Sequence, residues 1–312
     1  GSFKHFVAAW EAPNNSVTVS VPEIESGTLS WTTSNIITLT GHRSNGITNI
    51  HVETGNFFGN RQDEFVVAFQ GVDTTIHLQL CSFNSSSLMP QLEGSINDER
   101  TLVNSNLNNW DIVSGDFDSD GYDDIALLFV KPLTGSNWSL SITIYSIDEN
   151  GNFIRKSSKE VFQQPVYQVS TINVDGTVGA FDGDAGLEIA FGFSFFQGEE
   201  PGNDTYAYLI DVTNNLEDIT VNDSRRVARN EVGPNDMLPF NVAAGDLNKD
   251  YRDELVLMSG FEFFIYTTDD QLLPQFKSQE NVQTDGDNLH SDAFLAVEDM
   301  DLDLSSEIVI VK

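Results

Sequence analysis

Short apolar runs punctuate this chain at near-regular intervals, and behind most of them follows a segment in which apolar and polar residues alternate. In the clearest unit Trp110-Asp111-Ile112-Val113 leads into a polar turn and Ile125-Ala126-Leu127-Leu128-Phe129-Val130 leaves it. Ser139-Leu140-Ser141-Ile142-Thr143-Ile144-Tyr145 then alternates strictly, and a polar segment around Phe153-Ile154 completes the set. A continuous apolar run predicts a strand covered on both faces, and strict alternation predicts one that is half wet. Other units keep the order: Phe65 to Phe69 precedes Ile76 to Leu80, Ile189 to Phe193 precedes Tyr206 to Ile210, and Leu255 to Met258 precedes Phe263 to Tyr266. Capped stripes of helical period are missing over any useful length, so the pattern predicts an all-β chain of small antiparallel sheets.

The turn between the first two strands of the clearest unit is Asp116-Phe117-Asp118-Ser119-Asp120-Gly121-Tyr122-Asp123-Asp124. Numbered from Asp116, it carries acids at positions 1, 3, 5 and 9, with Gly121 at position 6. A hard cation takes about six to eight oxygen ligands, and alternate residues of a turning loop can aim their carboxylates inward. Asp116, Asp118, Asp120 and Asp124, with the main-chain carbonyl of Tyr122, are therefore candidate calcium ligands. A strand-like run follows where an EF-hand would start a helix, so the loop belongs in a β-hairpin.

The frame recurs after Gly55, Gly115, Gly179, Gly245 and Glu298, a period of roughly 60 residues that signals a repeat architecture. The third copy has Ala180 at position 1 but keeps Asp182, Asp184 and Glu188. The first retains scattered donors, Asn56, Asn60 and Glu64, and is expected to hydrogen-bond itself. Four-stranded units repeated radially make a β-propeller. Residues 5–45 read as strands without a loop before them, and 292–312 as a first strand and loop. Joined, the two ends complete one more blade of a single domain spanning 1–312, with one strand to spare. The expected count is five blades if the chain is whole, or six or seven if it is a fragment of a larger ring.

Charge narrows the partners. The chain has 48 Asp and Glu against 15 Lys and Arg, a net charge of −33. Nucleic acid is excluded as an expected partner, since phosphate backbones are held by clustered Lys and Arg, and adsorption to an anionic membrane is disfavoured. No apolar run is long enough to span a bilayer as a helix, so no membrane insertion is expected. Much of the acidity sits in the repeated loops, where bound Ca²⁺ would offset it, and the fold is expected to lean on the metal. Cys81 is the single cysteine, so no intrachain disulfide forms.

Gly115-Asp116-Phe117-Asp118-Ser119-Asp120-Gly121-Tyr122-Asp123-Asp124-Ile125-Ala126 resembles the FG-GAP (VCBS-type) repeat of integrin α-subunit propellers and of many secreted bacterial proteins. The resemblance covers nearly the whole chain in period, and its specific part is the loop. It implies further calcium ligands at Asp246, Asn248, Asp250, Arg252 and Glu254, and at Asp299, Asp301, Asp303, the main chain at Leu304-Ser305, and Glu307. It implies about three strong calcium sites, with a fourth, weaker one at Asp182, Asp184 and Glu188. It also implies ligand recognition on the face away from these loops, in an extracellular, cell-surface or periplasmic setting.

Signatures of catalysis are missing: no nucleophile elbow, no phosphate-binding Gly-Lys-Ser/Thr loop, and no metal spacing among His5, His42, His51, His77 and His290. A calcium site filled by protein oxygens leaves no open position for substrate, so the metal is expected to be structural. Core packing or blade edges explain Trp10, Trp31, Trp110 and Trp138 most cheaply; the alternative, stacking on a sugar, has Trp138 in an inter-strand loop as its best candidate. The aromatic stretches Phe57-Phe58 and Phe193 to Phe196 are expected to pack between blades. The leading expectation is a calcium-stabilised binding or adhesion module of a larger secreted or surface protein that recognises protein or glycan. The alternatives are a propeller polysaccharide lyase or hydrolase, or a docking scaffold of a bacterial toxin assembly.

Overall fold

The computed structural model describes residues 7–12, 16–20, 23–25, 28–30, 36–40, 50–59, 64–71, 75–83, 90–100, 109–133, 137–165, 172–196, 203–230, 240–259, 262–267, 275–281, 294–299 and 305–311. All regular structure among them is β. The first sheet runs β1 (Ala8–Ala12), β2 (Ser16–Ser20), β5 (Ile36–Thr40), and a separate two-stranded ladder pairs β3 (Glu23–Glu25) with β4 (Thr28–Ser30). Four-stranded meanders follow. They are β6 (Ile50–Gly55), β7 (Glu64–Gln70), β8 (Thr75–Phe83), β9 (Pro90–Arg100); then β10 (Trp110–Gly115), β11 (Asp124–Pro132), β12 (Asn137–Ile147), β13 (Phe153–Pro165). Next come β14 (Ile172–Gly179), β15 (Glu188–Phe196), β16 (Asn203–Thr213), β17 (Asp218–Asn230), and β18 (Phe240–Gly245), β19 (Glu254–Ser259), β20 (Glu262–Thr267), β21 (Gln275–Asn281). The last sheet pairs β22 (Phe294–Glu298) with β23 (Glu307–Val311), and every pairing is antiparallel.

The first strands lie side by side in chain order, β1 by β6, β6 by β10, β10 by β14, β14 by β18 and β18 by β22. Outer strands follow suit, with β5 near β9, β9 near β13 and β13 near β17. Sheets ranked this way are the blades of a β-propeller rather than the two layers of a sandwich. The two ends, 5–45 and 292–312, were expected to join in one blade; among the described residues β1–β2–β5 and β22–β23 form separate sheets.

Burial explains the gradation of sequence patterns. β19 is buried at every position and β7 at all but its last, because sheets cover both faces of a second strand; β8 alternates, and β9 is largely exposed. Successive clusters fill the gaps between neighbouring sheets. Val17, Val19 and Leu39 meet Phe65, Phe69 and Cys81, while Val66 and Leu78 meet Trp110, Ile112 and Leu127. Beyond these, Leu128, Trp138 and Ile142 meet Phe191 and Phe193, Ala190 and Leu209 meet Leu255 and Phe264, and Val256 and Met258 meet Val297. Position 2 of the first four loops drops an apolar side chain into the gap toward the next sheet: Phe57, Phe117 and Phe181 are fully buried there, and Leu247 is partly buried.

The outer ladders carry paired register shifts, at Leu140/Ser141 and Ile144/Tyr145 in one sheet and at Thr205/Tyr206 and Leu209/Ile210 in the next. Such bulges add local twist, so the fourth strands coil away from the axis. The glycine that ends a first strand marks a close approach of the next sheet. A Cβ on Gly245 would sit 2.5 Å from Val297 Cγ1.

Phe181→Ala is expected to cost about 3–5 kcal/mol, the range for emptying a buried aromatic site. Tyr251→Ala, at a side chain 86% exposed, is expected to stay within about 0.5 kcal/mol. Urea unfolding of both variants checks the contrast.

Candidate metal centre

Each loop is a hairpin whose two ends are opposed in the ladder: Gly55 faces Glu64, Gly115 faces Asp124, Gly179 faces Glu188, Gly245 faces Glu254 and Glu298 faces Glu307. Position 4 takes a left-handed backbone throughout the described loops, at Gly59 (φ 63°), Ser119 (φ 60°), Gly183 (φ 82°) and Lys249 (φ 65°). Position 6 is left-handed as well in two of them, at Gly121 (φ 89°) and Tyr251 (φ 68°), and these reversals turn the loop back over position 1.

In the loop at 116–124 the Asp116 carboxylate accepts the N–H groups of Asp120 (3.0 Å) and Gly121 (3.0 Å), and Asp120 accepts that of Tyr122 (2.9 Å). The Asp116, Asp118 and Asp120 carboxylates each bring an oxygen within 4.8 Å of the others. Asp124, only 4% exposed, closes the hairpin from below. Two buried oxygens here, Asp118 Oδ1 and Asp124 Oδ2, have no hydrogen-bond partner. Burial first, and then the charges of Asp118, Asp120 and Asp116, push the Asp124 carboxyl up to about 8, against a backbone hydrogen bond from Phe117 that lowers it. Asp118 is raised for the same reasons, burial leading and Asp120 next. Three converging acids, with Asp124 at the base of the hairpin and two unpartnered buried oxygens, form a pocket of negative potential with open coordination sites. That donor set could hold a hard divalent cation. The Tyr122 ring stands outside it, against Gly59 of the preceding loop.

A second triad, Asp182, Asp184 and Glu188, is gathered within the same 4.8 Å despite Ala180 at position 1. Asp182 accepts the Asp184 N–H (2.8 Å) and Asp184 that of Gly186 (2.9 Å), while Glu188 accepts those of Phe181 (2.7 Å) and Asp182 (3.3 Å). Burial, followed by the charges of Asp182 and Asp184, raises Glu188 to about 7. The Arg252 side chain lies beside this loop, where a Cβ on Gly183 would be 3.0 Å from Nε.

The loop at 246–254 is organised differently. Asp246 accepts N–H groups from Asn248 (3.2 Å), Lys249 (2.7 Å), Asp250 (3.2 Å) and Tyr251 (2.9 Å), and Asp250 accepts that of Arg252 (3.0 Å). Glu254 accepts the Leu247 N–H (2.8 Å), and Asn248 Nδ2 donates to its other oxygen. Donors thus fill the position a cation would take, and Asp246, Asp250 and Glu254 do not converge as the other two triads do. Of the last loop, Asp299, Ser305 and Glu307 are described; Asp301 and Asp303 lie outside the described residues, as does Asn60 of the first. There Glu64 accepts the N–H groups of Phe57 (3.0 Å) and Phe58 (3.2 Å), so that loop does hydrogen-bond itself.

Sequence reasoning missed how the loops grip one another. The carbonyl of position 1 accepts the N–H of position 8 in the next loop: Asp123 N–H to Asn56 (3.2 Å), Leu187 to Asp116 (3.1 Å), Asp253 to Ala180 (3.0 Å) and Ser306 to Asp246 (2.8 Å). Where position 1 lacks an acid, position 8 of the next loop supplies one. Asp123 Oδ2 accepts the Asn56 N–H (2.7 Å), and Asp253 Oδ2 that of Ala180 (2.8 Å). A complementary choice at two sites some 70 residues apart is the signal that could have exposed this clasp.

No family model and no curated protein matches the chain. Among solved structures it is similar to a Lactobacillus plantarum protein, at 14% identity and a TM-score of 0.47 over 88% of this chain and 70% of that one. It is also similar to Saccharomyces cerevisiae Sqt1, at 11% identity and a TM-score of 0.42 over 93% of this chain and 76% of that one.

The aromatic groups settle into packing. Trp138, the one sugar-stacking candidate among tryptophans for which packing was the cheaper reading, is 2% exposed and wedged against Phe162, Phe193 and Phe195, with ring centroids 5.6, 6.2 and 5.7 Å away. It is part of the core because its strand faces the next sheet. Trp110 is also buried, Trp10 is 41% exposed, and Trp31 lies outside the described residues. Among the described residues no helix is long and apolar enough to cross a membrane.

Asp253→Ala would leave the Ala180 N–H without its carboxylate, a loss expected to cost about 1–3 kcal/mol. Tyr122→Ala, on the rim of the preceding loop, keeps the corresponding Asp123 bond and should cost less. Chemical denaturation of the two variants side by side tests the clasp.

Proposed function

We propose that this chain is a calcium-stabilised β-propeller that serves as a binding or adhesion module of a larger secreted or surface protein. The observation that carries the metal part is the pair of unpartnered buried oxygens, Asp118 Oδ1 and Asp124 Oδ2, in a loop where Asp116, Asp118 and Asp120 converge. Burying such a cluster without a counter-ion is costly, and a divalent cation removes the repulsion while giving each orphaned lone pair a partner. Asp116, Asp118, Asp120, Asp124 and the Tyr122 carbonyl would hold the ion. Asp182, Asp184 and Glu188 would form a second site, weakened by the Arg252 cation beside it. The ligands of the loop after Glu298 belong to the same reading. At 246–254 the Asn248 amide would have to turn over before its oxygen could face a metal.

The ion's role in this reading is structural. Asp116 is both a ligand and, through its carbonyl, the acceptor for the Leu187 N–H of the next blade, so fixing the loop fixes the blade boundary. A rigid ring with variable loops suits recognition of a protein or glycan. The resemblance to FG-GAP repeats supports the adhesion role and an extracellular setting, where calcium is plentiful.

Thermal melts in EDTA and in excess Ca²⁺ are the test. Calcium is expected to raise the midpoint by several degrees, since a ligand at about 100 times its Kd adds about 2.7 kcal/mol. The double variant Asp118→Ala/Asp124→Asn should lose most of that gain. Superimposable melts of the wild-type protein would sink the metal reading. A glycan array and a pull-down, each run with calcium and with EDTA, test the binding role; failure of both with the calcium-loaded protein would count against it.

A further inference from the structure

Four residues before the glycine that precedes each loop, the first strands place His51, Asp111, Asp175 and Asn241 on equivalent rungs, opposite Ala68, Leu128, Gly192 and Met258. These rungs are linked to one another. His51 Nδ1 lies 2.6 Å from Asp111 Oδ1, and the imidazole packs on Trp110 with ring centroids 4.5 Å apart. Asp111 Oδ1 also accepts the Ile112 N–H (2.9 Å), and its Oδ2 reaches to the next sheet to accept the Gly176 N–H (2.8 Å). Asp175 repeats the reach, accepting the Val242 N–H (2.6 Å). The Asp175 carboxyl also stands beside that of Asp111 on one side and the Asn241 amide on the other. First strands are sheet edges whose inward N–H groups have no ladder partner, so carboxyls from the preceding sheet take them.

We propose that this rung is a proton-linked joint: the folded protein keeps a proton between the Asp111 and Asp175 carboxyls, and its loss as pH rises loosens the contact among three successive sheets. Charge counting supports this without reference to the calcium loops. Facing the pair are His51 and Glu53 from β6; β14 and β18 bring no other titratable group, and Glu11 of β1 is exposed. Lys and Arg do not occur on any of the first strands. Three carboxyls therefore share one imidazole. Neighbouring carboxyls disfavour each other's ionisation, so one of them keeps a proton and can donate it. Both Asp111 oxygens already accept backbone N–H groups, which leaves Asp175 as the donor.

The sign of the pH effect follows. Burial, with the Asp111 charge second, raises Asp175 well above the ordinary carboxyl range, and the same two causes push Glu53 up to about 8. Both values lie above those of the unfolded chain, so the folded protein holds protons that the unfolded one has released. The stabilisation is complete below an unfolded value of about 4 and is lost as pH rises through the folded values.

Asp175→Asn is the test. The amide keeps an acceptor for the Val242 N–H and a donor for Asp111, which imitates the protonated acid permanently. In excess Ca²⁺, which holds the loop carboxyls ionised, the wild-type midpoint is expected to fall by about 5 °C between about pH 6 and about pH 9, and the Asp175→Asn midpoint by less than half as much. A protonated-carboxyl stretch in the infrared spectrum of the calcium-saturated wild-type protein at neutral pH is expected to weaken in the variant, in which Glu53 still contributes. Parallel pH profiles for the two proteins would overturn the proposal. Absence of the infrared band from the wild-type protein would overturn it too, even if the variant fails to fold.

Discussion

Everything in this molecule depends on hydrogen bonds that cross from one sheet to the next near the axis. A four-stranded meander buries both faces of its second strand and leaves the inner edge of its first strand unpaired, so it cannot stand alone. Two sets of contacts resolve this at each boundary. Near the loops, the position 1 carbonyl takes the N–H of position 8 in the next loop; deeper in, Asp111 and Asp175 take the N–H groups of Gly176 and Val242. Acids serve here as long acceptors spanning a gap too wide for a backbone ladder. The net charge of −33 is thus partly a set of joints rather than a solvated coat.

The loops show one backbone frame put to different electrostatic uses. With an acid at position 1, as at Asp116 and Asp246, that acid ties up its own loop and the neighbour contributes only an N–H group. With Asn56 or Ala180 there, the neighbour contributes Asp123 or Asp253. Each boundary therefore has one carboxylate at this point, on one side or the other. Two acids so close would repel, and none would strand an N–H.

The strands and the loop frame were legible in the sequence because both are local: alternation, buried runs and spaced acids lie within a dozen residues. Phe57 and Phe193 were rightly expected between blades. Trp138 misled because its setting beside polar residues looked like an inter-strand loop, whereas it begins a strand whose face meets the Phe193 and Phe195 of the next sheet. The loop at 182–188 looked depleted for want of a first acid, yet Asp182, Asp184 and Glu188 converge without it. The His51–Asp111–Asp175–Asn241 rung could not be read, since each member is an isolated polar residue in an otherwise apolar strand and only the stacking of blades brings them together.

Cys81 lies on β8 opposite Phe65, sealed between the sheet that begins with β1 and the one that begins with β6. Burial pushes its thiol up to about 12, so in the closed protein it is both hidden and almost wholly un-ionised. Nature has thereby installed a single-site clock at one seam of the assembly. The rate at which an alkylating reagent finds this sulfur measures how often that seam breathes, uncontaminated by any other cysteine in the chain.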